Sequence, residues 1–201
     1  MNDGIGLVDL FKPQDVLCGY CRSALKVLRK TVNVLDFQVY AFYEYDPIFE
    51  KMIFQVKESK DVALAPSFLY PYRVWLKKKI QDKTVILVPS SAKKTKQRGF
   101  DVLSTLYADL GCELLSPFEK DDVKQSQRTW TQRSKIKRHV RLVHPEMIQG
   151  KDLVLLDDVC TTGFTLKACL DLVRPYARSV EVLVLACHPD NLKTRSPNIE
   201  R

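Results

Sequence analysis

The sequence predicts an α/β fold, a parallel sheet flanked by helices with a small N-terminal α+β appendage or hood. Three observations carry this. Residues 85–88 and 153–156 are continuous apolar runs and 180–186 is broken only by Glu181, the form a strand takes when both faces of a parallel sheet are covered. Segments with apolar residues at helical spacing lie between them, so strand and helix alternate through roughly 85–187. No internal repeat or low-complexity block competes with that order.

Taken along the chain, residues 32–45 are rich in β-branched and aromatic side chains with Asp36 at a turn position, which predicts two short strands or a hairpin. Tyr45, Phe49, Met52, Ile53 and Val56 recur at helical spacing after Pro47, a residue suited to a helix start. Val62, Leu64, Phe68, Leu69, Tyr72 and Leu76 continue that pattern, but Pro66 and Pro71 break it. The strand at 85–88 stops at Pro89, and a basic loop follows over residues 90–98. Phe100, Leu103, Leu106, Tyr107 and Leu110 then form a helix face that Gly111 ends. Residues 112–115 supply another short strand. Residues 119–141 are polar and basic, and read as a mobile loop or hood. Leu166, Cys169, Leu170 and Val173 mark the helix after the 153–156 strand, and the chain past Pro189 reads as a polar, poorly ordered tail. This divides the chain into an N-terminal extension at 1–31, one domain with its hood at 32–188, and a tail at 189–201.

With 201 residues, 45% hydrophobic and 28% charged, the chain can bury a real core in one domain with room for an appendage. No apolar run approaches the ~20 residues that span a bilayer, and the first residues lack a basic start followed by an apolar stretch. The expectation is a cytoplasmic protein with no membrane partner. Six cysteines do not make a short secreted scaffold, and four of them lie in apolar surroundings typical of reduced core thiols. A formal net charge of +8 favours polyanionic partners, although an enzyme that handles phosphate also uses basic residues.

The chemistry concentrates in residues 153–165. The apolar strand ends on Asp157 and Asp158, placing two carboxylates where open α/β sheets bind ligands and where they can accept hydrogen bonds from vicinal hydroxyls. Thr161, Thr162, Gly163, Phe164 and Thr165 follow at the start of a helix, with a glycine for close backbone approach and hydroxyls for an anion. A diol on one side and a phosphate on the other describe a ribose 5-phosphate group.

This order closely resembles the signature of the type I phosphoribosyltransferases, with Cys160 standing where a branched aliphatic is usual. The resemblance implies that Asp157 and Asp158 contact ribose hydroxyls, that residues 161–165 hold the 5-phosphate, and that the ligand is phosphoribosyl pyrophosphate accompanied by magnesium. The hypoxanthine-type members carry an aspartate at the position of Thr161, so purine salvage loses support. Arg98, Gly99 and Phe100, preceded by Val88 and Pro89, resemble the ComF-type competence proteins, with Asp101 in place of an asparagine. Tyr45, Ile48, Ile53 and Lys57 resemble the same family's segment after its zinc module. That family is associated with DNA uptake, and its acceptor is not readable from the motif.

Ser90, Ser91, Lys94 and Arg98 can surround a pyrophosphate, although a solvated basic loop explains the lysines equally well. Cys18 and Cys21 supply only two of the four ligands that structural zinc takes. Zinc is therefore not expected, and the pair reads as a degenerate remnant of that module with two reduced thiols, the alternatives being zinc shared across a dimer and thioredoxin-like redox chemistry. His139, His144 and His188 read as ordinary surface or turn histidines. Trp130 among Arg133, Lys135, Lys137 and Arg138 has the ingredients of single-strand nucleic-acid binding.

The leading expectation is a ComF-like phosphoribosyltransferase-fold protein that binds phosphoribosyl pyrophosphate and transfers its phosphoribosyl group with release of pyrophosphate. The alternative is a non-catalytic single-stranded DNA-binding competence factor, with a vestigial or regulatory pocket and a DNA-uptake helicase as partner. A transcriptional sensor finds no helix-turn-helix pattern to support it. A homo-oligomer stays open.

Overall fold

The computed structural model describes residues 15–120 and 140–193. A short helix, α1 (Gly19–Ala24), leads into the hairpin of β1 (Val27–Val34) and β2 (Phe37–Glu44). Val34 pairs with Phe37, so Leu35 and Asp36 alone make the turn, and Leu35 takes the left-handed φ of 54° that L-residues seldom adopt. β1 begins at Val27 and so crosses the expected 31/32 boundary.

Asp46 starts α2 (Pro47–Lys57) by accepting hydrogen bonds from the N–H groups of Ile48 and Phe49 at 3.1 and 2.9 Å. Phe49, Met52, Ile53 and Val56 form its buried face, as their spacing requires. Pro66 and Pro71 break the next stretch into two 3-10 segments, Val62–Phe68 and Tyr70–Tyr72, before α3 (Arg73–Ile80). β3 (Thr84–Leu87) follows.

Residues 92–98 are a helix, not the expected loop. Ser91 caps α4 (Ala92–Arg98) by accepting the N–H of Lys94, and Gly99 closes it at φ 88°. Alanine, lysine, glutamine and arginine between a serine and a glycine are sufficient for a helix turn or two, whatever their charge. Asp101 caps α5 (Val102–Leu106) by accepting the N–H of Ser104 at 2.8 Å. β4 (Leu114–Leu115) comes next. β5 (Phe118–Lys120) and β6 (Val140–Leu142) pair antiparallel at the base of the expected hood, whose remaining residues lie outside the described ones.

The main sheet has six strands in the order β1-β2-β8-β7-β3-β4, in which β7 is Asp152–Cys160 and β8 is Ser179–Cys187. Only β1 runs antiparallel to its neighbour. Leu153, Val154, Leu155 and Leu156 are fully buried, as are Val184, Leu185 and Ala186, which requires cover on both faces. α6 (Phe164–Val173) provides part of it with Leu166, Cys169, Leu170 and Val173. One helical turn, Pro189–Leu192, follows β8 where a disordered tail was expected to begin. The core thiols number three, Cys160, Cys169 and Cys187; Cys112 is exposed, because the apolar residues beside it in sequence belong to a two-residue strand that buries neither face fully. Among the described residues no helix is long and apolar enough to cross a membrane.

Candidate functional site

The acidic pair lies inside a strand rather than after one. β7 continues through Asp157 and Asp158 to Cys160, because β8 keeps pairing with it: Asp157 with Val184, Val159 with Ala186, Cys160 with Cys187. On the other side the β3 ladder stops at Leu87 and Leu156. The carboxylates therefore sit where one neighbouring strand has ended and the other has not, a notch at the carboxyl edge of the sheet.

The two carboxylates have different surroundings. Asp158 is ion-paired with Lys57 of α2, its Oδ2 2.7 Å from Nζ, with both side chains largely covered. Asp157 accepts the N–H of Asp158 at 2.9 Å, and its carbonyl accepts the hydroxyl of buried Tyr107 at 2.8 Å. Burial, reinforced by the adjacent Asp158 charge, pushes the Asp157 carboxyl up to about 7, while the Asp158 N–H, Lys57 and Lys120 oppose the rise. One member of the pair thus titrates near neutrality.

Residues 161–165 leave the strand as a turn anchored from two sides. Asn191 donates to the Thr161 carbonyl at 2.5 Å, and the His188 N–H donates to that of Cys160 at 2.9 Å. Thr161 and Thr162 are exposed, whereas Gly163 is buried with φ 76°. A Cβ on Gly163 would lie well under 3.0 Å from Val34 Cγ1, with Phe37 Cζ at 3.5 Å and Leu35 Cδ1 at 3.7 Å. Glycine is required here by the hairpin tip pressed against it and by its dihedral angle, not by ligand approach alone. Lys167 completes the clamp by pairing with Asp36 at 2.9 Å and Asp171 at 2.5 Å. Gly163 caps α6 without a side-chain hydrogen bond.

Two clefts flank the notch. One, of 270 Å³, is lined by Tyr45, Phe54, Lys57, Asp158, Val159 and Thr161 among others. The other, of 360 Å³, is lined by Pro89, Ser90, Thr95, Ser116, Glu119 and Lys120 among others. Ser90 thus lines the second cleft, and Ser91 serves as the α4 cap. Arg98 lines neither cleft: it is paired with Glu58 at 2.5 Å, and that guanidinium holds the Glu58 carboxyl below its usual range. Once 92–98 is helical, Arg98 falls on its last turn, beside the end of α2.

Among the described residues, Lys57 and Lys120 are the basic residues at the notch, and sequence reasoning gave neither a role. Lys57 carried one signal, its place in the segment resembling the ComF-type proteins; Lys120 carried none. Trp130, Arg133, Lys135, Lys137 and Arg138 lie outside the described residues, and Arg141 at the near end of that run pairs with Glu119 at 3.4 Å. Cys18 and Cys21 are exposed on α1, and among the described residues no group of three or more His, Cys, Asp or Glu side chains is arranged to hold a metal ion.

No curated protein matches the chain. Among solved structures it is similar to a hypoxanthine phosphoribosyltransferase from Staphylococcus aureus, at 20% identity over 68% of each chain with a TM-score of 0.41. It is also similar to adenine phosphoribosyltransferases from Saccharomyces cerevisiae, at 14% identity over 89% of this chain and 94% of that one with a TM-score of 0.44, and from Trypanosoma brucei, at 14% identity over 86% and 96% with a TM-score of 0.44. The phosphoribosyl transferase domain family matches residues 96–199, more than half of the 201 residues, and the chain belongs to that family.

Proposed function

We propose that this protein binds phosphoribosyl pyrophosphate in the notch and transfers the phosphoribosyl group to an acceptor with release of pyrophosphate. The observation that carries the reading is the junction of the Asp157–Asp158 notch with the anchored 161–165 turn, which sets carboxylates for a diol beside free first-turn amides and hydroxyls for a phosphate. Asp157 and Asp158 orient the ribose, with Lys57 paired to Asp158. Thr161, Thr162 and Thr165, with the backbone of Gly163 and Phe164, anchor the 5-phosphate. Ser90 and Lys120 take the pyrophosphate side, a place that the Glu58 pair denies to Arg98.

As the bond from the anomeric carbon to pyrophosphate lengthens, positive charge develops on the sugar and negative charge on the leaving group. The carboxylates lie on the side of the first, and Lys120 on that of the second. Magnesium would fit this donor set as an ion held mainly by substrate oxygens and water, with Asp157 and Asp158 as the residues that would order its water, and it would supply neutralisation of charge on the departing pyrophosphate. We further place the protein among the ComF-type members that serve DNA uptake, on the Arg98–Phe100 and Tyr45–Lys57 resemblances.

Isothermal titration with phosphoribosyl pyrophosphate and magnesium tests the binding step, and pyrophosphate release across a panel of amine and heterocyclic acceptors tests the transfer. Saturable binding that Asp157→Asn/Asp158→Asn weakens at least tenfold is expected. A folded protein that binds no phosphoribosyl pyrophosphate at millimolar concentration overturns the proposal.

A further inference from the structure

A second reactive centre lies away from the notch, on α1. Cys18 is the N-cap residue of that helix, and its Sγ accepts the backbone N–H of Cys21 at 3.5 Å. Both are exposed, unlike Cys160, Cys169 and Cys187. The turn that carries them is firmly mounted. Arg22, the next residue, bonds Asp15 through Nε at 2.8 Å and donates to the Ser67 carbonyl at 2.7 Å and the Tyr43 hydroxyl at 3.4 Å.

That arrangement makes the thiols unequal. The Cys21 N–H and thiol both stabilise a Cys18 thiolate and hold its pKa below the ordinary thiol value, while facing that sulfur holds Cys21 above it. An attacking sulfur beside a protonated second thiol is the division of labour that disulfide exchange needs. Two thiols supply half of a structural zinc set, and among the described residues no further His, Cys, Asp or Glu side chain joins them in a metal-holding group.

We propose that Cys18 and Cys21 are a redox-active dithiol that exchanges with low-molecular-weight disulfides of the glutathione type. The Cys18 thiolate attacks one sulfur of the external disulfide; that S–S bond breaks, and one thiolate leaves and is protonated. Cys21 then gives its proton to water and attacks Cys18 Sγ in the mixed disulfide, releasing the second thiol. Two electrons pass from the cysteine pair to the external disulfide, and one intrachain disulfide replaces it.

The test incubates the reduced full chain, as wild type and as Cys112→Ser to remove the other exposed thiol, with oxidised glutathione and follows it by mass spectrometry. Expected are a Cys18–Cys21 disulfide, two glutathione thiols released per chain, accumulation of a mixed disulfide on Cys18 in Cys21→Ser, and reaction at least tenfold slower in Cys18→Ser. Any of four outcomes overturns the proposal: separate glutathione adducts on both cysteines without bridging, equal rates in the two serine variants, disulfides only between chains, or zinc retained through purification by a dimer that protects both thiols.

Discussion

Gly163→Ala isolates the contact between the hairpin and the signature turn. The added methyl meets two independent penalties. The left-handed backbone at φ 76° costs an L-residue ~1 to 2 kcal/mol, and the overlap with Val34 Cγ1 adds the ~1 to 3 kcal/mol typical of overpacking. The expected loss is therefore ~2 to 5 kcal/mol, which at a urea m-value of ~2 kcal/mol per molar moves the unfolding midpoint down by roughly 1 to 2.5 M. Val34→Ala removes the clashing atom at the cost of two buried methyl groups, ~1.5 kcal/mol. In the double mutant the overlap vanishes and the dihedral penalty remains, so its loss should fall short of the sum of the two single losses by ~1 to 3 kcal/mol in a double-mutant cycle. Chemical denaturation of the four proteins without ligand supplies the measurement. Losses that add to within ~0.5 kcal/mol, or a Gly163→Ala protein as stable as its parent, would refute the packing argument.

Asp157→Asn/Asp158→Asn should weaken phosphoribosyl pyrophosphate at least tenfold with the fold intact, since each charge-assisted hydrogen bond is worth ~1.5 to 3 kcal/mol; titration calorimetry on the folded double mutant decides it. The Asp157 carboxyl has a raised folded-state pKa of about 7, so the stability it contributes is fully present below its unfolded value and disappears as pH rises through about 7. Denaturation at pH 4 to 8 should show Asp157→Asn flattening that decline by ~1 to 2 kcal/mol, and an unchanged slope counts against the assignment. Glu58→Gln should cost under ~1 kcal/mol, as an exposed pair does, and should leave ligand affinity unchanged if Arg98 is a tether; a several-fold gain in affinity would mean that Arg98 reaches the ligand once freed. For the DNA reading, neutralising Arg133, Lys135, Lys137 and Arg138 together should flatten the salt dependence of single-strand affinity, and Trp130→Ala should cost a further ~1 to 3 kcal/mol. Affinity that survives all five substitutions removes residues 128–141 from that role.

The local elements were legible where one physical signal dominated. Buried strands announced themselves at 153–156 and 180–186, and the hairpin by its β-branched and aromatic residues around Asp36. The errors have identifiable causes. Charge at 92–98 suggested a solvated loop, although Ser91 and Gly99 were already the cap residues of a helix. Charge at 157–158 suggested a strand end, although β8 supplies partners as far as Cys187. Most of the site was hidden for a different reason: Lys57 and Asp158 are 101 residues apart in the chain and Arg98 and Glu58 are 40 apart, so both pairs are set by tertiary placement. Neither propensity nor periodicity contains such contacts. Gly163 was read correctly as a residue that must stay small, but for its ligand rather than for Val34.

The hairpin tip also bears on what counts as a self-sufficient piece of this protein. The family match starts at residue 96, yet the floor beneath the 161–165 turn is laid by Val34, Leu35 and Phe37, with Asp36 fastening Lys167 from the same turn. A fragment cut at the start of the match would retain the aspartates, threonines and glycine and lose the mould that shapes them. Chain order then has a meaning for assembly: the template is synthesised well before the turn it will form, and variation at the hairpin tip is variation of the pocket at one remove.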